Sequence, residues 1–165
     1  MGFARMSDSG RIETLTHRLI LPRDANHYGT LYAGSLLTLA LEAGYATAYR
    51  AVGIEANLVL KRVLDLRCDV PVPVGCVVQI RGREVHRARA QVVVALHGSP
   101  ITPGARPWMD GLMQFVQVDG QGRPTPIGTE PAPAGTGSDP PQRDPAGPPW
   151  DRLRQRALRA LAIRR

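Results

Sequence analysis

Cysteine is scarce. Cys68 and Cys76 are the two cysteines among 165 residues. They lie in strand-like surroundings and match no CxxC, zinc or disulfide-framework spacing, so both are expected to be small buried thiols in a reducing compartment, the cytoplasm. No apolar run approaches the ~20 residues of a membrane span. The opening MGFARMSDSG has no apolar signal core, and Met6 stands where a myristoylation signal needs Ser or Thr. Aromatic residues are few, at 5%, which argues against a nucleic-acid-binding core. His17, His86 and His97 show no ligand spacing, so no metal is expected.

The positive charge is local. Of a net +7, residues 151–165 supply six Arg against one Asp, a net +5, and the rest of the chain carries +2. The body is therefore only weakly basic.

A chain of this length is one domain with room for a tail, and needs no staples to bury a core. Residues 1–10 form a flexible leader, and the domain spans 11–118. Within it, Ile12 to Leu21 has the pattern of a first strand, ended by Pro22. Four strand-like segments follow a long helix: Leu58–Asp69 and Cys76–His86 alternate, Arg89–His97 carries the run Val92-Val93-Val94, and Trp108–Val118 is the last. Their period of two predicts an antiparallel sheet. Residues 119–149 hold nine of the 15 prolines and are expected to be a disordered linker. Residues 150–165 are expected to form a short basic amphipathic helix. Three outcomes are open for it: a solvated helix, one folded back on the domain, or one that touches anionic membrane or RNA.

The most informative stretch is Asp24–Gly44, DANHYGTLYAGSLLTLALEAG. A polar, glycine-marked loop runs into a helix expected from Ser35, its cap, to Val52, with Gly53 as the stop. Between Leu31 and Tyr49 the single ionised residue is Glu42. A lone carboxylate in an apolar helix is costly unless paired, protonated or used. Ser35, Thr38, Glu42, Tyr45 and Tyr49 recur at spacings of three and four and form one polar stripe. The stripe lines a substrate cleft between subunits, or it is a solvated or subunit-facing edge. So apolar a helix must be buried, and the economical α+β solution is a curved antiparallel sheet wrapped around one long central helix.

Asp24-Ala-Asn26, Gly29, Gly34 and Glu42-Ala-Gly44, with the turn Pro71-Val-Pro-Val-Gly75 and the pair Arg87 and Arg89, resemble the hotdog-fold acyl-CoA thioesterases over roughly residues 14–127. Three positions depart from that pattern. Ala33 replaces the first Gly of a pair, Cys76 replaces an Asp after the turn, and Leu41 falls where many members carry an acid on the helix. The resemblance implies hydrolysis of acyl-CoA by a homodimer or higher homo-oligomer, with no cofactor beyond the coenzyme A of the substrate. Asn26, Gly34 and Glu42 are then the catalytic candidates. Free N–H groups near Gly34 and Ser35 can hold an oxyanion. Asn26 can orient the water or the carbonyl, and a desolvated carboxylate at Glu42 can serve as general base. Asp24, His27, Gly29, Ser35 and Thr38 are candidates for lining the substrate. Lys61, Arg62, Arg87 and Arg89 are candidates for the CoA phosphates. Each has a plainer role open to it: an Asx turn for Asn26, close packing for Gly34, a solvated side chain for His27, and surface charge for the cations.

Overall fold

The 20 residues of α1 (Ala33–Val52) include no Pro and two glycines, and they put Leu36, Leu39, Ala40, Ala43, Gly44, Thr47, Ala48 and Ala51 on one buried side. That side is dominated by small residues, so the sheet approaches the helix axis closely. A Cβ on Gly44 would sit 2.7 Å from Met113 Sδ. The helix begins two residues before the expected cap. Tyr32 is the N-cap and provides no side-chain hydrogen bond, so Ser35 lies in the first turn instead. Gly53 ends the helix as expected, at φ 130°, with its N–H donating to Tyr49 O.

The computed structural model describes residues 5–6, 12–53, 55–102, 104–128 and 149–162. Six strands surround α1: β1 (Arg5–Met6), β2 (Ile12–Leu19), β3 (Leu58–Cys68), β4 (Val77–Ala88), β5 (Gln91–Pro100) and β6 (Met109–Gln117). They form one antiparallel sheet in the order β1-β2-β4-β5-β6-β3. Helix α1 therefore connects strands on opposite sides of the sheet and crosses its inner face. This is the α+β hotdog arrangement expected from the sequence.

Strand β5 shows how the layers are built. Val92, Val94 and Leu96 join the core under α1, while Val93 and Ala95 join a second cluster on the opposite face. A run buried on both sides loses the polar alternation of a half-exposed strand. Where β2, β4 and α1 meet, Thr14 Oγ1 and Thr47 Oγ1 lie 2.5 Å apart, and Thr47 Oγ1 also donates to Ala43 O at 2.7 Å. Gly82 lies beneath this pair, and a Cβ there would overlap Thr47 Oγ1.

The second cluster is closed by α2 (Trp150–Ala162). Leu153 and Ala157 are fully buried against Val85, Val93, Ala95 and Leu112. Arg156 pairs with Asp110 at 2.8 Å and also with Asp65, and Trp150 Nε1 donates to Glu13 at 3.2 Å. Of the three outcomes open for the basic helix, the chain adopts the folded-back one. The expected linker also starts later than 119. Asp119 closes a turn with Arg123, Thr125 N donates to Gln117 O, and Ile127 N donates to Arg89 O. These backbone bonds hold residues 119–128 against the ends of β4 and β6. The remainder of the expected linker, 129–148, lies outside the described residues.

Candidate active site

Two motifs that are far apart in sequence meet at the N-terminus of α1. The loop from Asp24 turns back so that Tyr32 N donates to Asp24 O. The Pro71–Gly75 turn braces it from behind, through Leu31 N to Val72 O, Val74 N to Gly29 O and a bridge between Thr30 and Pro73. Gly29 sits at φ 73°, a left-handed conformation that favours glycine.

Within this frame Asp24 is not available to a substrate. It is buried, its carboxylate accepts from Leu21 N at 3.0 Å, and Arg18 lies 3.8 Å away. Its placement corrects the expectation that it lines the site; it closes the 3-10 turn Pro22–Asp24. Asn26 is half-buried, and its Oδ1 accepts from Tyr28 N, Thr30 N and Thr30 Oγ1 at 3.0–3.2 Å. The amide oxygen is thus fully engaged in holding the loop. What Asn26 has left to offer is its Nδ2, which donates to nothing among the described residues. His27 and Tyr28 are exposed, with their rings 3.9 Å apart.

The first intrahelical acceptor, Tyr32 O, takes Leu36 N. The N–H groups of Ala33, Gly34 and Ser35 therefore point out of the helix end without backbone acceptors, at the positive end of the helix dipole. The Tyr32 ring lies over Gly34, where a Cβ would collide with it. Gly34 thus does what close packing requires and leaves its N–H open.

The stripe on α1 turns outward at Thr38 and Glu42, while Tyr45 and Tyr49 reach the rim of the core. Thr38, Glu42 and Tyr45 are exposed, and Ser35 and Tyr49 are half-buried. Glu42 makes no ion pair or hydrogen bond among the described residues. Leu41, one position earlier, packs against the core. One helical step of ~100° thus separates an inward leucine from an outward glutamate. Beside the stripe, Leu37 and Tyr45 on α1 and Leu60 and Val63 on the edge strand β3 are 37–44% exposed. Tyr45 stacks on Tyr49 and meets Phe115 edge-on.

The expected phosphate-binding cations are dispersed rather than gathered at the loop. Arg87 is held by Glu84 at 2.6 and 2.9 Å and donates to Ala51 O at 2.7 Å, at the far end of α1. The Glu84 carboxylate raises the affinity of Arg87 for its proton. Arg62 donates to Gln114 at 2.6 Å, and Gln114 in turn bonds Gln91, on the face of the sheet away from α1. Lys61 and Arg89 are exposed, on the edge strand and in the β4–β5 turn. Among the described residues no three His, Cys, Asp or Glu side chains converge in a way that could hold a metal ion.

Residues that the sequence did not single out complete the loop. Thr30 shares Asn26 Oδ1 by both of its donors, a pattern signalled by a Thr four residues after an Asn. Tyr32 has no such local signal, because its role comes from lying across Gly34.

No protein-family model and no curated protein matches the chain. Solved structures do. A hexameric acyl-CoA thioesterase in its apo form is 22% identical, with 92% of this chain and 90% of that one covered at a TM-score of 0.68. The acyl-CoA hydrolase of Staphylococcus aureus, in complex with butyryl coenzyme A, coenzyme A and coenzyme A disulfide, is 20% identical over 92% and 88%, at 0.70. A hexameric broad-specificity acyl-coenzyme A thioesterase is 21% identical over 89% and 87%, at 0.57. The chain has the hotdog fold that these solved acyl-CoA thioesterases and hydrolase share.

Proposed function

We propose that this chain hydrolyses acyl-CoA thioesters to the free acid and CoA at a site shared between two copies. The observation that carries the reading is a distance. The donors at Asn26 and Gly34 lie at the start of α1, and Glu42 lies eight residues on, ~12 Å along the axis. One thioester carbonyl cannot touch both ends of that span. The stripe between them faces outward beside an apolar strip at an open sheet edge, which suits a second copy set against it. An isologous pairing then places Glu42 of one copy at the helix start of the other.

The chemistry follows from the groups available. Asn26 Nδ2 and the free N–H groups near Gly34 and Ser35 stabilise the negative charge on the carbonyl oxygen as water adds. Glu42 of the other copy takes the proton of that water. The tetrahedral adduct collapses by breaking the C–S bond, and the proton held by Glu42 passes to the leaving sulfur, so that CoA departs as its thiol and the carboxylate is restored. His27, Gly29, Ser35 and Thr38 line the approach. No cofactor is required beyond the coenzyme A of the substrate. Lys61, Arg62, Arg87 and Arg89 would meet its phosphates only where a neighbouring copy brings them to the loop. Both thiols are free, and neither is buried as expected: Cys68 is exposed and Cys76 half-buried, which a reducing cytoplasmic setting suits.

Complementation of two dead variants tests the shared site. Asn26→Ala and Glu42→Gln, each inactive alone, should recover about a quarter of wild-type activity when mixed and re-associated at equal amounts, because half of the pairs are mixed and each mixed pair has one intact site. No recovery between variants shown to have exchanged would place both residues in one chain's site or in none.

Leu41 favours a second reading. With an inward leucine where the resemblance calls for an acid, the chain binds acyl-CoA or an acyl carrier without cleaving it. Binding without thiol release would select this reading. A tail that tethers the domain to membrane or RNA is a third reading, and the burial of Leu153 and Ala157 leaves α2 only its arginine-rich outer side for it.

A further inference from the structure

The outer face of the sheet carries a charge cluster that the proposed chemistry does not use. His97 on β5 is 7% exposed, and its Nδ1 has no hydrogen-bond partner. Its neighbours across the strands are Arg81 on β4 and Asp110 on β6. From above, α2 brings Arg152 within electrostatic reach. The carboxylates of this face are already engaged. Asp110 accepts from Arg156, Asp65 pairs with Arg156 and with Arg67, and Glu13 accepts from Trp150 and lies 4.0 Å from Arg81. Arg83 lies beside Glu13 in the strand register. A proton added to His97 therefore places a further positive charge beside Arg81 and below a helix that carries Arg152 and Arg156, where the neighbouring Asp110 already accepts from Arg156 and the acid of α2, Asp151, is exposed to solvent.

We propose that α2 is a pH-sensitive latch: it docks most firmly on the sheet while His97 is neutral and opens more often in mildly acidic solution, uncovering Val85, Val93, Ala95 and Leu112. The sign follows from linkage. Burial is the main influence that lowers the affinity of docked His97 for a proton; Asp110 opposes this, and Arg81 and Arg152 add to it. Released, the imidazole faces water and titrates near its ordinary 6.5. The undocked state thus binds the proton more readily, and docking is strongest above that value and weakens as pH falls through it. One proton changes the docking equilibrium by at most about tenfold per pH unit. Between about pH 5 and 8, histidine is the side chain that changes charge without special perturbation.

Hydrogen exchange of the α2 amides in the full chain reads the latch, after correction for the intrinsic pH dependence of exchange. From about pH 7.5 to 5.5 the protection of α2 should fall severalfold, with a ceiling of about tenfold over the interval, while that of β4 to β6 holds. His97→Gln should remove the fall, since His17, His27 and His86 remain in that variant. His97→Phe serves if the glutamine variant does not fold. Arg156→Gln should weaken docking at every pH and keep the slope. Constant protection in the wild type, the same fall in a folded His97 variant, or loss of the sheet together with α2 would each overturn the proposal.

Discussion

Asn26 faces two ways, and two substitutions separate its roles. Its Oδ1 holds the loop through three donors at 3.0–3.2 Å, while its Nδ2 is left over for a substrate. Asn26→Ala removes both functions. The loop then loses one half-buried acceptor, worth about 1–2 kcal/mol net for contacts of this kind. Asn26→Asp keeps an oxygen for all three donors, so stability should stay within about 0.5 kcal/mol of wild type. It also removes the side-chain donor, Nδ2, and sets a carboxylate beside the growing oxyanion. Loss of one oxyanion donor costs about 10²–10³ in kcat. Both variants should therefore fall by at least that range, with Asn26→Asp the lower, although it is the more stable. Thiol release followed as kcat and KM, alongside urea unfolding, gives both quantities. A contact made only in the transition state lowers kcat and kcat/KM together. An Asn26→Asp enzyme close to wild type would refute the donor role and leave Asn26 as a turn residue.

Further expectations follow from the packing and the proposed pairing. Gly82→Ala should lower stability by about 3 kcal/mol, because its Cβ displaces the Thr47–Thr14 hydroxyl pair in a closed core; a small shift in the urea midpoint would show that α1 can move off the sheet. If Gly34 of one copy meets Glu42 of the other, the two-fold axis passes beside the residue midway between them, Thr38, so Thr38→Cys should give an interchain disulfide under mild oxidation on a non-reducing gel. A monomeric band would place the axis elsewhere. Leu153→Ala should destabilise docking of α2 by about 2–4 kcal/mol, seen as loss of α2 protection in hydrogen exchange with the sheet retained.

The sheet was legible because the segments of β3 and β4 alternate and the breaks between strands carry Pro and Gly. The strands from β3 to β6 fall within about three residues of their expected places. Helix α1 was legible from its apolar length and its Gly53 stop. Its start was not, since Ser35 has the chemistry of a cap, whereas the chain enters the helix from the Ala25–Leu31 bridge with Tyr32 as N-cap. The meeting of the Asp24–Gly29 loop with the Pro71–Gly75 turn depends on strand order and has no local signal. The same holds for α2. Its apolar face is weak in sequence, and its docking depends on Arg156 reaching Asp65 and Asp110, 91 and 46 residues away. Asp24 was misread for a related reason. An acid in a glycine-marked loop suggests a ligand, yet this one satisfies the backbone of its own turn. The stripe on α1 was visible as a pattern, and its outward direction came from knowing which face the sheet covers.

The central claim is that thioester cleavage runs across the outward stripe of α1. Thiol release from a panel of short, medium, long and aromatic acyl-CoAs, by the wild type and Glu42→Gln, tests it most directly. The account predicts turnover on part of the panel by the wild type and its collapse in a folded, oligomeric Glu42→Gln protein. Full activity in that variant would contradict it and make the stripe structural, and a wild type that binds acyl-CoA without releasing thiol would contradict it in favour of a binding protein.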